Sequence, residues 1–200
     1  MDLRELREVL SGAHFRWCLA GGHAIERFVG RELRKHGEVD VVVFRDEQLK
    51  LQEHLAEWGL YAADPPGHLR PWKGGEYLEE GVHDIWCHRK GSSHWELQVM
   101  LQETSGDRWV YRRDKQISGR LDDFIETYGG WPCIRIEAQL LYKSKAPRPK
   151  DDQDFESCLP HLDERTRERL RRYLELAYRG EHSWLRRLYA LSRGGTKRPG

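Results

Sequence analysis

The sequence predicts an α/β fold of the mixed (α+β) kind, in which a mixed β-sheet with flanking helices precedes a small helical portion. The run EVDVVVF at residues 38–44 is almost continuously apolar, which is typical of a strand buried on both faces. Short strand-like and helix-like segments alternate up to about residue 130, and only helical spacing follows. No internal repeat is visible.

Apolar spacing and turn residues define the elements of the first half. Leu3, Leu6 and Leu10 share one helical face, and Gly30 is suited to end a helix. Residues 60–81 are rich in Pro, Gly and Trp, which favours a loop. In chain order we predict a helix over 2–10, a strand over 16–20, a tight turn at Gly21-Gly22, a helix over 23–29, a strand over 38–44, a helix over 46–58 and a loop over 60–81.

The second half predicts a few more strands and then helices alone. Gly129-Gly130 is expected to end a short helix, and a link rich in Pro and Lys follows the first long helix. The predicted elements are strands over 82–88, 94–102 and 109–113, and helices over 121–128, 135–144, 151–159, 163–178 and 183–191. We therefore predict a first domain over 1–130, a helical domain over 131–192 and a disordered tail over 193–200.

Composition restricts the class of protein. The chain has 200 residues, of which 38% are hydrophobic and 34% charged, and its formal net charge is +1. No apolar stretch approaches the length of a membrane helix, and the N-terminus carries alternating charges where a signal peptide needs an apolar region. These features predict a cytoplasmic protein without a membrane partner, and the near-neutral charge argues against nucleic acid. The oligomeric state cannot be read from the sequence.

Cysteine and histidine residues offer little evidence for a zinc site. The four cysteines form no Cys-x-x-Cys pair, as expected for reduced thiols in an intracellular protein. A cluster at His83, Cys87, His88 and His94 has suitable ligand types. Cys87 and His88 are adjacent, however, and would point to opposite faces of a strand, which argues against a shared ion.

A Gly-Gly turn followed by two spaced carboxylates is the pattern that carries chemistry. Gly21 and Gly22 expose backbone N–H groups, and the helix that follows directs its N-terminal dipole to the same place, as phosphate binding requires. Glu38 and Asp40 are two residues apart on a strand, so both side chains leave one face, about 6–7 Å apart at the backbone. Oxygen ligands of this kind suit hard divalent cations such as Mg²⁺. The alternatives are a solvated strand end and an ordinary tight turn.

Two blocks of sequence resemble a known family. GGHAIERFVGRELRKHGEVDVVV, at residues 21–43, resembles the signature of the nucleotidyltransferase superfamily in its antibiotic-modifying branch of aminoglycoside and lincosamide nucleotidyltransferases. Its Gly-x-x-x-Arg corresponds to Gly30 and Arg34, and its His-x-Asp-hydrophobic-Asp to residues 36–40. IEAQLLYKSKAPRPKDDQDF, at residues 136–155, resembles the aminoglycoside-2''-adenylyltransferase-like family. The resemblance implies a nucleotidyltransferase (polymerase beta-like) fold over nearly the whole chain.

The resemblance also implies an activity and a set of site residues. Members transfer a nucleoside monophosphate, usually from ATP, to a hydroxyl of a small molecule with Mg²⁺, releasing pyrophosphate. Aminoglycoside-like acceptors are therefore one candidate class. Carried over residue by residue, Glu38 and Asp40 are the catalytic metal ligands. The residues expected to contact the nucleotide are Gly21, Gly22, Arg34, His36 and Lys143. For Arg34 and Lys143, simple solvation is an equal alternative, and His36 could instead cap the turn.

The sequence departs from the family pattern at two positions. Glu38 stands where relatives have Asp, and Gln98 stands where a third acid is expected, although an amide cannot accept a proton as a base. Glu96 is the nearest substitute and Asp84 a more distant one. These departures keep open a non-catalytic nucleotide-binding relative or a toxin–antitoxin component. The acceptor and the nucleotide are not identified by the sequence.

Acidic residues of the 60–81 segment and beyond bear on the acceptor. A cationic aminoglycoside would need clustered acids, which Glu76, Glu79, Glu80 and Asp84 could supply. The same residues could equally serve to solvate a loop.

Overall fold

A computed structural model describes residues 1–194, with side chains as far as residue 191. A mixed eight-stranded sheet has the order β10-β11-β1-β2-β6-β5-β3-β4, and a second sheet has the order β7-β8-β9. In the large sheet, β2 is parallel to β6 and β1 is parallel to β11, while the other neighbours are antiparallel. None of the helices in the described part of the chain is both long and apolar enough to cross a membrane.

The bounds of the elements are as follows. The helices are α1 Leu3–Val9, α2 Gly21–Val29, α3 Gln48–His54, α4 Ile136–Lys143, α5 Pro149–Cys158, α6 Glu164–Tyr178 and α7 Ser183–Gly194. The strands are β1 Trp17–Leu19, β2 Val39–Phe44, β3 Trp58–Ala63, β4 Leu69–Pro71, β5 Asp84–Arg89, β6 Leu97–Gln102, β7 Thr104–Ser105, β8 Arg108–Val110, β9 Ser118–Arg120, β10 Ile125–Tyr128 and β11 Trp131–Ile134.

The centre of the large sheet matches the prediction. Strand β2 lies between β1 and β6, and all its residues except Asp40 are fully buried, as its apolar run indicates. Helix α2 packs on β2 and also on α4 and α5, so it joins the sheet to the C-terminal helices. Gly30 ends α2 in the left-handed conformation, at φ 79°, as predicted. The mixed α/β architecture and the four C-terminal helices are confirmed.

Two neighbouring predictions are wrong between residues 46 and 81. The predicted helix over 46–58 is shorter, because a 3₁₀ turn over Arg45–Glu47 precedes α3 and Trp58 already begins β3. The predicted loop over 60–81 contains most of β3 and all of β4, and β3 pairs antiparallel with both β4 and β5. Gly59 is therefore a strand residue whose missing side chain admits the His88 ring, because a Cβ at Gly59 would lie 2.5 Å from that ring.

The prediction of a helix over 121–128 is also wrong. A 3₁₀ turn over Leu121–Asp123 leads into β10, which pairs with β11 as a hairpin. Gly129-Gly130 forms its two-residue turn, and both glycines have positive φ, 56° and 77°. Two adjacent positive φ values are what a hairpin turn of type I′ needs, so this pair ends a strand rather than a helix.

The predicted division at residue 130 falls just before β11, which lies in the large sheet beside β1. The separation into two domains stays a prediction. Of the predicted tail, residues 193 and 194 form the end of α7. Residues 195–200 lie outside the described residues.

Arg45 anchors the segment before β5 to the sheet. It is 5% exposed, and its guanidinium donates to the carbonyl oxygens of Leu78, Glu79 and Val82 at 2.8–3.0 Å. It also forms an ion pair with the Glu103 carboxylate, with Nε 2.7 Å from Oε2. A buried guanidinium with this many acceptors fixes the path of the chain around it.

Candidate active site

Asp40 and Gly21 are in direct contact where β2 passes the start of α2. The helix begins at Gly21 itself rather than at His23, so the predicted tight turn at Gly21-Gly22 is wrong. Gly21 has φ +61°, and a Cβ built there would lie 1.8 Å from Oδ2 of Asp40. Only glycine permits this approach. The Gly21 N–H donates to Oε1 of Gln139 on α4 at 2.8 Å.

The Asp40 carboxylate has no hydrogen-bond or ion-pair partner among the residues that the structure describes. Burial, and then the negative charge of Glu38, together raise its pKa to about 6, against the opposing effects of Lys143 and His36. Glu38 is half-buried and stands one position before β2. A partly buried carboxylate that lacks a partner and lies beside a second acid is an oxygen donor set that fits a hard cation such as Mg²⁺.

The missing side chain of Gly22 likewise leaves room for the His36 ring. A Cβ at Gly22 would lie 2.1 Å from Cε1 of His36 and 3.0 Å from the Arg34 guanidinium. His36 Nε2 is 2.8 Å from Oε1 of the buried Glu26, so the ring is held against α2. The Gly-Gly pair therefore lets both Asp40 and the segment that carries His36 pack against the first turn of α2.

Arg34 and Lys143 meet acidic residues of α5 in this structure. Arg34 forms a bidentate pair with Asp154, which is fully buried. Lys143 Nζ lies 2.9 Å from Asp154 and 3.1 Å from Asp151. Arg34 thus joins α5 to the segment before β2, and Lys143 joins α5 to α4. Asp154 is not among the predicted site residues, because nothing in the residue order distinguishes it from Asp152 and the acids at 151–154 indicate only a helix start.

The two candidate third acids have different surroundings. Glu96 contacts Arg89, since its Oε1 accepts from the Arg89 backbone N–H at 3.2 Å and its other oxygen binds the Arg89 guanidinium. Asp84 lies on the Asp40 side of the sheet. Gln98 pairs with Asp40 across β2 and β6, and its Nε2 donates to Oδ1 of Asp84 at 3.0 Å. Gln98 therefore lies between Asp40 and Asp84 and hydrogen-bonds to Asp84, whereas Glu96 is bound to Arg89.

A cavity opens on this face between the sheet and α4. Asp84 lines it together with Met100, Gln102, Gln139 and Tyr142. Arg112 also lines it and has no ion pair or hydrogen bond within the described part of the chain. Burial lowers the pKa of Arg112, and neighbouring Arg113 lowers it further. No signal in the sequence separates Arg112 from Arg113, so Arg112 is not among the predicted site residues.

The contact between Gly21 and Asp40 predicts a large effect of Gly21→Ala. The added Cβ meets Asp40 and is disfavoured by the left-handed backbone that position 21 requires, so we expect a loss of about 2–4 kcal/mol in the free energy of unfolding. Gly12→Ala is the matched control, because Gly12 has φ +70° and no atom within 4 Å of a Cβ. It should cost about 1–2 kcal/mol. Urea denaturation of both variants measures the difference, and equal losses would contradict the steric argument.

Comparisons with known proteins identify the family of the chain and relate its fold to solved structures. A model of the aminoglycoside-2''-adenylyltransferase family matches residues 2–157. No curated protein matches the sequence. The crystal structure of the lincosamide antibiotic adenylyltransferase LnuA with lincomycin bound is 17% identical, with a TM-score of 0.51, over 80% of this chain and 96% of that one.

Two structures of the antibiotic-resistance factor ANT(2'')-Ia are similar as well. The solution structure is 14% identical with a TM-score of 0.52, over 96% of this chain and 94% of that one. The complex with adenylyl-2''-tobramycin is 12% identical with a TM-score of 0.52, over 86% of this chain and 94% of that one. At these identities the structures show a shared fold, while the family match extends over most of the sequence, including Gly21, Asp40 and Gln139. The chain belongs to the aminoglycoside-2''-adenylyltransferase family.

Proposed function

We propose that the protein transfers a nucleoside monophosphate from a nucleoside triphosphate, with ATP as the first candidate, to a hydroxyl group of a small molecule. The observation that carries this proposal is the Asp40 carboxylate, which is partly buried and has Glu38 beside it and no partner among the described residues. Glu38 and Asp40 would hold Mg²⁺, which when bound neutralises charge on the attacking and leaving oxygens of phosphoryl transfer.

The chain's own residues would bind and orient the reactants. Gly21 and Gly22 present the N-terminus of α2 to the triphosphate, where backbone N–H groups and the helix dipole favour an anion. Lys143 and Arg34 lie at that end of the site, where Asp151 and Asp154 balance their charge, while His36 holds the segment before Glu38 against α2. The acceptor oxygen forms a bond to the α-phosphorus, the bond to the β-phosphate oxygen breaks, and pyrophosphate leaves.

Asp84 is the best placed group to accept the proton of the acceptor hydroxyl. Gln98, which stands where a third acid is expected, cannot accept it but holds the Asp84 carboxylate at 3.0 Å. We predict that Asp84→Asn lowers kcat by about 10²–10⁴, the usual contribution of a general base. Glu96→Gln is the matched control, because Glu96 is bound to Arg89, and it should retain most activity. The reverse order of effects would assign the role to Glu96.

The cavity bears on the class of acceptor. Glu76, one of the acids considered for a cationic acceptor, is paired with Arg70. Arg112 lines the cavity together with Asp84, and its guanidinium has no ion-pair partner among the described residues. The charge of Arg112 offsets that of Asp84, and Glu103, which also lines the cavity, is paired with Arg45. The lining therefore has no surplus of acids to attract a polycation, so we propose an acceptor of low positive charge, closer to a lincosamide than to an aminoglycoside. The alternative class, a non-catalytic nucleotide-binding relative or toxin–antitoxin component, is favoured by one observation, the amide at Gln98.

Transfer of label from α-phosphate-labelled ATP to a panel of lincosamides, aminoglycosides and other hydroxyl compounds tests the proposal. We expect a labelled adduct and released pyrophosphate with Mg²⁺, and neither product in the presence of a chelator. Calorimetry with ATP and Mg²⁺ separates the alternatives. Tight binding without turnover on any acceptor would support the non-catalytic alternative, and absence of binding would contradict both.

A further inference from the structure

Three metal-binding side chains that the proposed transfer does not use as metal ligands meet beside the active site. His23 and Glu26 lie three positions apart on α2, and His36 reaches them from the segment before β2. One ligand atom of each lies within 4.8 Å of the others. The side chain of Glu26 is 3% exposed, and those of His23 and His36 are 17% and 15% exposed. The cluster is thus largely shielded from solvent, with both imidazoles partly exposed.

Two donor atoms of this cluster face each other without a hydrogen bond. Oε1 of Glu26 accepts from the backbone N–H groups of Leu33 and Arg34 and contacts His36. Oε2 of Glu26 lies 3.9 Å from His23 Nδ1. That separation is too long for a hydrogen bond. Two ligands bound to one zinc ion at about 2.0–2.2 Å lie roughly 3.4 Å apart in a tetrahedron and at most about 4.3 Å apart. The 3.9 Å between His23 Nδ1 and Glu26 Oε2 is therefore a distance that one ion can bridge.

The charge states suit a metal as well. Burial, and then neighbouring His36, lower the pKa of His23 to about 4, so its imidazole is neutral with a free lone pair at about pH 7. Burial opposes ionisation of Glu26, but the hydrogen bonds it accepts from Leu33 and His36 outweigh this and lower its pKa. The cluster therefore presents two imidazoles and a carboxylate, the donor set of three-ligand zinc sites.

We propose that His23, Glu26 and His36 form a site for Zn²⁺ or a similar borderline transition metal, with water as the fourth ligand. The site is separate from the Glu38 and Asp40 pair, which offers only oxygens and suits Mg²⁺. His36 Nε2 exchanges its contact with Glu26 for the metal. The bound ion ties α2 to the segment before β2. The proposal does not rest on the transfer activity.

Titration of the full chain with Zn²⁺ alone, followed by calorimetry, tests the site. We expect one equivalent to bind the unaltered protein and also Asp40→Asn, which removes a ligand from the other site. His23→Phe keeps an aromatic ring but has no metal-binding nitrogen. It should weaken zinc binding by at least about tenfold, because loss of a residue that only supports a ligand already costs about that much. His14→Ala, at an exposed histidine, should bind as the unaltered protein does.

Two results would overturn the proposal. One is equal zinc affinity of His23→Phe and the unaltered protein, and the other is loss of binding in Asp40→Asn. X-ray absorption of the zinc-loaded unaltered protein provides a measurement that needs no variant. We expect two imidazole nitrogens and oxygen at about 2.0–2.2 Å. Sulfur ligands or an all-oxygen shell would place the ion elsewhere.

Discussion

Asp40→Asn abolishes nucleotide transfer, with an expected fall in kcat/KM on the order of 10³ or more, while the protein stays folded. The amide keeps the shape of the side chain against Gly21 but removes the charge that, in the proposed mechanism, would hold the cation. Metal stabilisation of phosphoryl transfer is worth several kcal/mol. Labelled-ATP transfer on any accepted substrate measures the loss. Full Mg²⁺-dependent activity in this variant would contradict the metal assignment.

The same variant has a second expected effect, on stability. The pKa of Asp40 is raised from 3.8 to about 6 in the folded protein. A raised pKa means that the protonated form supports folding fully below about pH 4, and that this support is lost as pH rises through 6. In chelator at about pH 8, Asp40→Asn should therefore be more stable than the unaltered protein, by up to about 3 kcal/mol.

Urea denaturation at about pH 4 and about pH 8 checks this reversal, in which the variant without activity is the more stable one. The advantage should shrink toward zero at the lower pH. Saturating Mg²⁺ should stabilise the unaltered protein and leave the variant unchanged, because only a ligand of the folded state shifts the equilibrium. An equal effect of Mg²⁺ on both proteins would locate the cation away from Asp40.

Arg45→Ala is expected to be the most destabilising single substitution outside the candidate active site. It leaves Glu103 without its main partner and takes the Arg45 donor from the Val82 carbonyl oxygen, whereas the Leu78 and Glu79 oxygens keep other donors. Removal of one partner of a buried pair costs about 3–5 kcal/mol. Lys90→Ala is the control, since its pair with Glu57 is exposed and should be worth under about 1 kcal/mol. Thermal and urea denaturation compare the two.

The pair of Arg45 and Glu103 also affects acid stability. Burial raises the pKa of Glu103, but His83 and Arg45 outweigh burial and lower it to about 2. A lowered pKa stabilises the fold above about pH 4.5, and this contribution is lost as pH falls toward about 2. Arg45→Ala should reduce the stabilisation that comes from the lowered pKa of Glu103. We therefore expect the variant to unfold at a higher pH during acid titration. Identical acid midpoints would show that His83 alone maintains the charge of Glu103.

The sequence predicts Gly21 and Asp40 better than it predicts Asp84 and Arg112, which line the neighbouring cavity. Asp40 and Gly21 lie in adjacent elements whose order is local, and a buried apolar run fixes β2, so the pattern alone predicts them. Asp84 depends on the register between β5 and β6, which puts Gln98 beside it, and no spacing along the chain reveals this. Arg112 depends on a cavity that forms only when α4 covers the sheet.

The wrong predictions at Gly59 and at Gly129-Gly130 share a physical cause. At Gly59 and at Gly129-Gly130 the local pattern indicates helix ends, whereas long-range strand pairing places these glycines in β3 and in a hairpin turn. Glycine permits either conformation, and the partner strand decides. The two-domain division stays a prediction. So do the roles of all the predicted site residues, which are Gly21, Gly22, Arg34, His36, Glu38, Asp40, Glu96 and Lys143.

The hydrogen bond from Gly21 to Gln139 occupies the backbone N–H that we propose for phosphate binding, so the Gln139 side chain would compete with the phosphate. The amide oxygen of Gln139 accepts from an N–H that a helix start otherwise leaves open. A phosphate that takes this N–H must displace Gln139, and the net gain is reduced by a hydrogen bond worth about 1 kcal/mol. Because Gln139 belongs to α4, a phosphate bound at this N–H would replace the hydrogen bond that joins α4 to the start of α2. Nucleotide binding would therefore compete with the attachment of the C-terminal helices.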